Sequence, residues 1–224
     1  MDGLSNLQLI LVKYALRIPA VLIAITVHEV CHGLAAYKLG DTTARVMGRL
    51  SLNPLRHLSP LGCLCMMVFG FGFAKPVPVN TRGFKHPKRD MALTALAGPL
   101  SNLCLAFIGV VIQAFVGLIP TPEEYTFAFW VLYVANIFIL FFTTLNISLC
   151  VFNMIPIPPL DGSRVLLAFL PTNLYYNFLK YERYIMLALF VLIWTGVLNK
   201  YISGAAEIIY FALNYIVYLI PIFR

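Results

Sequence analysis

Ile18-Pro-Ala-Val-Leu-Ile-Ala-Ile-Thr-Val-His-Glu-Val-Cys-His-Gly-Leu-Ala-Ala-Tyr37 is the stretch that decides the fold. Its 20 residues lie between Arg17 and Lys38, and Glu29 is the one acidic residue among them. As a helix they would extend about 30 Å, one hydrocarbon thickness of a bilayer. The same stretch also reads as a metal site. His28 and His32 are one helical turn apart, so both imidazoles leave one face, and Glu29 sits about 100° round the helix. His-Glu-x-x-His is the pattern in which two imidazoles hold one metal and the glutamate handles a proton of water. With 4 His and 5 Glu in 224 residues, chance produces it in roughly one such chain in several hundred. Ionisable groups at membrane depth point to function, and no basic residue between Arg17 and Lys38 is there to pair with Glu29.

Working outward, composition agrees with a membrane setting. The chain is 61% hydrophobic and 11% charged, with mean hydropathy +0.86, where a soluble domain carries about 25% charged residues. The expectation is an all-α polytopic membrane protein of about four to six transmembrane helices, with a re-entrant segment and a short β-hairpin-like element. No linker or repeat divides it, so residues 1–224 read as one membrane-embedded domain. The net charge of +7 does not argue for nucleic acid. Nine basic residues, Lys38, Arg45, Arg49, Arg56, Lys75, Arg82, Lys85, Lys88 and Arg89, fall in residues 38–90 against Asp41 and Asp90. Such an excess beside spanning segments marks cytoplasmic loops, and no aromatic–basic interleaving suggests stacking on bases. The five cysteines form no CxxC pair and read as small apolar residues. Cys31, between the two histidines, reads as packing in preference to a spare ligand.

The rest of the chain supplies further elements. Residues 57–74 are apolar but broken by Pro60, Gly62, Gly70 and Gly72. With basic flanks on both sides they read as a short re-entrant helix and turn. In Phe73-Ala-Lys-Pro-Val-Pro-Val-Asn80 two prolines strip donors from one edge of an extended chain, leaving the N–H groups of Lys75, Val77 and Val79 on the other. That is either an edge for an incoming peptide or a rigid loop. Met91–Pro122 is an uncharged second span containing Ala97-Gly-Pro-Leu-Ser-Asn102. There Gly98 permits close helix approach, Pro99 should kink the helix or mark its start, and Asn102 can bond across helices. Tyr125–Leu160 is a third span, ended by Pro156, Pro158 and Pro159, which deliver Asp161 to the cytoplasmic end. Tyr184–Asn199 and Ile208–Phe223 are thinner spans of 16 uncharged residues each.

A catalytic zinc takes three protein ligands and keeps a position for water. His28 and His32 supply two. Asp161 is the preferred third, ahead of Glu182 and Glu207, because it alone sits on a proline-shaped turn at membrane depth. His57 and His86 fall in basic loops and read as solvated. One Zn2+ would activate water and Glu29 would carry its proton to the leaving amine. Asn153 is placed either to bind the substrate backbone or to hold a neighbouring helix. The leading reading is an endopeptidase for membrane-spanning substrates, and the alternative is a metal-binding transporter or scaffold without hydrolysis. A peptidase for soluble substrates, anchored in the membrane, is disfavoured by the depth of residues 28–32.

At these residues the chain resembles the site-2 protease family of intramembrane zinc metalloproteases. The resemblance rests on His28-Glu-Val-Cys-His32, on Asn153-Met-Ile-Pro-Ile-Pro-Pro-Leu-Asp161-Gly162 and on Ala97–Asn102, and covers roughly residues 18–170. It implies His28, His32 and Asp161 as zinc ligands, Glu29 as base, Asn153 as a substrate contact, and Phe73–Asn80 within a re-entrant β-hairpin region. The chain looks most like the minimal prokaryotic members, without a PDZ domain or a full span before the His28 helix. The implied setting is the cell membrane, multi-pass, with the site toward the cytoplasm. The implied partners are the lipid bilayer and a transmembrane peptide, acted on in regulated intramembrane proteolysis or signal-peptide clearance. Substrate identity and oligomeric state are not set by these residues.

Overall fold

The computed structural model describes residues 6–59, 75–124 and 126–223. Helix α1 spans Asn6–Lys38. Residues 6–17 thus continue the helix of the first span. The helix ends where Gly40 adopts φ +112°. Gly40 N–H then donates to Tyr37 O and Asp41 N–H to Ala36 O, the paired bonds that close a helix on a left-handed residue. A single turn, α2 (Thr43–Val46), follows.

Helix α3 (Pro87–Gly117) begins with proline at its first turn, where a missing N–H does no harm. Pro99 lies inside it, so it is neither a start nor a break in the helix. Helix α4 (Phe127–Asn153) is capped by the Thr126 hydroxyl, which accepts the Phe129 N–H at 3.2 Å. The prolines after Asn153 end α4, and a turn over 154–160 leads to α5 (Asp161–Phe169), with Asp161 in its first turn.

Helices α6 (Thr172–Trp194) and α7 (Val197–Tyr218) are joined at Gly196, φ +72°, and their axes bend by 78°. This corrects the expectation of two separate late spans. Charges at Lys180, Glu182, Arg183, Lys200 and Glu207 interrupt the apolar runs, and the left-handed glycine falls inside the first of them, so neither helix alone is apolar enough to count as a span. Among the described residues three helices are long and apolar enough to cross a membrane, or four if the bent pair counts as one.

Helices α1, α3, α4 and α5 pack as one bundle, and α7 lies against α4 and α3. The apolar core of that outer contact is Ala106, Val110, Ile147, Leu213 and Val217. No strand occurs among the described residues. Of residues 57–74, expected as the re-entrant segment, 60–74 lie outside them.

Candidate active site

His28 and His32 project from the middle of the α1 span toward the first turn of α5. His28 Nε2 lies 3.0 Å from His32 Nε2, and Asp161 Oδ2 lies 3.2 Å from the first and 3.3 Å from the second. The imidazoles are 11% exposed and the Asp161 side chain 16%, so the cluster is screened without being sealed. Residues 74 and 62 positions away supply the outer partners. His28 Nδ1 faces Asn102 Oδ1 at 2.6 Å and His32 Nδ1 faces Thr94 O at 2.7 Å.

The donor set fits zinc. A backbone carbonyl only accepts, so His32 Nδ1 carries the proton and its Nε2 turns a lone pair inward. Asp161 Oδ2 is buried with no hydrogen-bond partner. Three electron-rich atoms at mutual distances of 3.0–3.3 Å repel one another unless a cation lies between them. Tetrahedral zinc with bonds of about 2.0–2.1 Å spaces its ligands about 3.3 Å apart. Among the described residues this is the one group of His, Cys, Asp and Glu with metal-holding geometry. Cys31 is half-buried and outside it.

Gly98 makes the approach of α3 to the two rings possible. A Cβ there would fall 2.4 Å from His32 Nε2 and 2.6 Å from His28 Cε1. Gly162 does the same for Asp161, since a Cβ would stand 2.3 Å from Met154 O. The turn after α4 can therefore fold back against the start of α5.

A cavity of about 480 Å³ opens on the cluster. Glu29, Val77, Val79 and Asn153 line it together with His28, His32 and Asp161. Glu29 Oε2 accepts the Val77 N–H at 2.9 Å. The Asn153 amide nitrogen donates to Leu149 O of its own helix at 3.0 Å. Lys75 does not line the cavity, and its N–H donates to His57 O at 2.8 Å. The expected row of free N–H donors at Lys75, Val77 and Val79 is corrected accordingly, because two of the three are engaged within the protein.

The loop segment is strapped down by Arg49 and Asp41, which the sequence showed only as loop charges. Arg49 is buried, and its guanidinium donates to the carbonyls of Arg56, Lys75 and Pro76. Asp41 Oδ2 accepts the Asn80 N–H at 2.7 Å, and its Oδ1 accepts from Thr43 N–H and Oγ1. Burial alone would raise the Asp41 carboxyl, but these donors outweigh it and hold it below the ordinary carboxylate range. His57 is 1% exposed, not solvated, and its Nε2 bonds Ser51 O at 2.7 Å. A basic loop can bury a histidine where main-chain carbonyls must be satisfied. His86 is exposed, as its loop position implied.

The comparisons with known proteins decide among the readings. The family described as Peptidase family M50 matches residues 131–195, which include Asn153 and Asp161 and leave the His28 helix outside. The Bacillus subtilis protein named "Putative zinc metalloprotease YwhC" is 39% identical over 181 residues, 76% of this chain and 77% of its own length. The chain belongs to peptidase family M50. As a member it is a zinc metalloprotease with Zn2+ as its cofactor, and the non-hydrolytic transporter or scaffold gives way. A "Putative zinc metalloprotease Rip2" of Mycolicibacterium smegmatis is 31% identical over 158 residues, 66% of this chain and 55% of that protein. The Methanocaldococcus jannaschii protein named "Putative zinc metalloprotease MJ0611" is 35% identical over 107 residues, 47% of this chain and 49% of its own length. No solved structure matches the chain at a significant level. Family membership and the long apolar helices together make this M50 peptidase a membrane protein.

Proposed function

We propose that this M50 peptidase is an intramembrane endopeptidase, residues 1–224 acting as one domain, that cuts transmembrane peptides. The observation that carries the reading is the shared cavity. The His28–His32–Asp161 cluster, Glu29 and Asn153 face one space, set among helices Tyr14–Lys38 and Phe127–Asn153 that are long and apolar enough to cross a bilayer. His28, His32 and Asp161 hold the zinc. When bound, zinc supplies Lewis-acid activation of a water and of the scissile carbonyl. Glu29, held through Oε2 by the Val77 amide, takes the water proton on Oε1 and returns it to the leaving amine. Asn153, Val77 and Val79 contact the substrate backbone, which must unwind locally to expose a carbonyl.

The site opens toward the cytoplasm in a multi-pass arrangement. The basic loops between Lys38 and Arg89 lead into the start of α3, and Val77 and Val79 from them line the same cavity as Asp161, which supports placing the site on the side of these loops. Glu123 and Glu124 mark the opposite end. Regulated intramembrane proteolysis and clearance of signal-peptide remnants would both present such substrates. Cleavage of a single-span peptide in proteoliposomes tests the reading. Glu29→Gln should lower the rate by about 10³-fold or more while zinc content stays at the wild-type level. Cleavage by Glu29→Gln at the wild-type rate, or wild-type protein that cuts only water-soluble peptides, would refute it.

A further inference from the structure

The two imidazoles reach their common centre by different means. The proton of His32 is placed by a backbone carbonyl, Thr94 O. His28 Nδ1 instead faces a side-chain amide, Asn102. An amide can turn over by 180° with almost no change of shape and present nitrogen where oxygen stood. Turned over, Asn102 would donate to His28 Nδ1, drive the ring proton onto Nε2 and aim an N–H at the position meant for the metal. Something must prevent that turn.

We propose that Asn146 is a positioning residue for zinc, which fixes the orientation of the Asn102 amide and, through it, the tautomer of His28. The direction begins at a group that cannot reverse. Phe142 O, a carbonyl, accepts from Asn146 Nδ2 at 2.8 Å. Asn146 Oδ1 must then face Asn102, where it accepts from Nδ2 at 2.8 Å. Asn102 Oδ1 is left facing His28 Nδ1 at 2.6 Å. A longer contact from Asn102 Nδ2 to Ala24 O, 3.4 Å, acts in the same sense. Reversing one link leaves two donors or two acceptors opposed. Both asparagines are 0% exposed, so no bulk water relieves the mismatch. The relay joins α4, α3 and α1. Neither asparagine lines the substrate cavity, so contact with substrate does not account for them. Outer partners of this kind typically change metal affinity by about 10–100-fold when lost.

The proposal rests on His28 being a zinc ligand, and one experiment separates the two ideas. Zinc-loaded protein in detergent is challenged with a chelator, and retained zinc is read by metal analysis for wild type, N146L, N146D, I147A and H28A. Leucine at 146 frees Asn102 to turn, so zinc should be lost at least about tenfold faster. A neutral aspartic acid at 146 keeps one donor and one acceptor in the same places and should hold zinc within about threefold of wild type. Ile147 is the buried neighbour outside the relay, and I147A should also hold zinc. A merely structural role predicts the reverse order, with the buried acid of N146D the most damaging. Zinc held by N146L as by wild type, or lost equally from I147A, overturns the proposal. If H28A keeps its zinc, the ligand reading falls as well; if H28A loses zinc while N146L keeps it, only the relay falls. Where N146L yields no folded protein, ¹⁵N-histidine NMR of zinc-stripped wild type gives the answer directly. His28 should carry its proton on Nδ1, and a proton on Nε2 overturns the proposal.

Discussion

The bundle of α1, α3, α4 and α5 and the bent pair α6–α7 are both built from largely apolar sequence but by opposite rules. The bundle buries Thr26, His28, His32, Thr94, Asn102, Thr143, Asn146 and Ser163, and glycines bring its helices into close contact. The pair buries Leu189, Leu213 and Val217, while Tyr184, Val191, Trp194, Tyr201, Ile208 and Phe211 face outward. In a bilayer, lipid tails are as apolar as leucine, so an apolar helix face gains little from one position over another. A buried polar group gains much from a correctly placed partner. The half with polar groups is therefore held in one arrangement, and the described contacts of the other half are mainly apolar packing, with Tyr210 Oη donating to Gln113 Oε1 at 3.4 Å.

Glycine substitutions break this comparison most sharply. Gly98→Ala puts a methyl within 2.6 Å of both imidazoles and should reduce zinc retention by about a hundredfold, with proteolysis lost in parallel. Gly204→Ala in α7, where a Cβ meets nothing within 4 Å, should leave both unchanged. Metal analysis and a peptide-cleavage assay on the two proteins decide it, and equal loss would mean that the bent pair supports the site directly. A smaller effect is expected at Leu213, which packs α7 on Ala106, Val110 and Ile147. Leu213→Ala should lower thermal stability by about 1–2 kcal/mol, the packing part of a buried leucine, with zinc content unaltered. The smallest effect tests the rim of the site. The Asp41 carboxyl lies below its unfolded value of about 3.9. Its contribution is complete above about pH 4 and is lost as pH falls through the lower folded value. A thermal-melt series from pH 7 to 3 should show a shallower acid limb for Asp41→Asn than for wild type.

Much of the site was legible because its parts carry local signals. His28, Glu29 and His32 are related by helix geometry within one turn, and Asp161 is announced by the prolines that end α4. Gly98 and Asn102 stood out as a small and a polar residue in an uncharged run. Asn146 carries the same kind of signal, an amide inside an apolar helix, yet nothing adjacent to it says which partner it meets. His57 was read as solvated because basic loops usually are, and Arg49 was one more charge of the same loops. Their burial follows from carbonyls of Ser51, Arg56, Lys75 and Pro76 that need donors, and those bonds cross up to 27 positions. The late spans were overcounted because hydropathy is blind to a turn at a single glycine.

By itself the amino-acid order determined the solvent, the helical class and the chemistry of the ligands, since each depends on composition or on spacing within a turn or two. Only the tertiary structure decided that Asp161 meets the two histidines, that Glu29 is held by Val77, and that an amide relay from Phe142 orients His28. Apart from the bond of Asn146 within its own helix, those contacts join residues 44 to 133 positions apart. Their geometry is set by how α1, α3, α4 and α5 cross and where the Val77 loop lies against them, which no local pattern encodes.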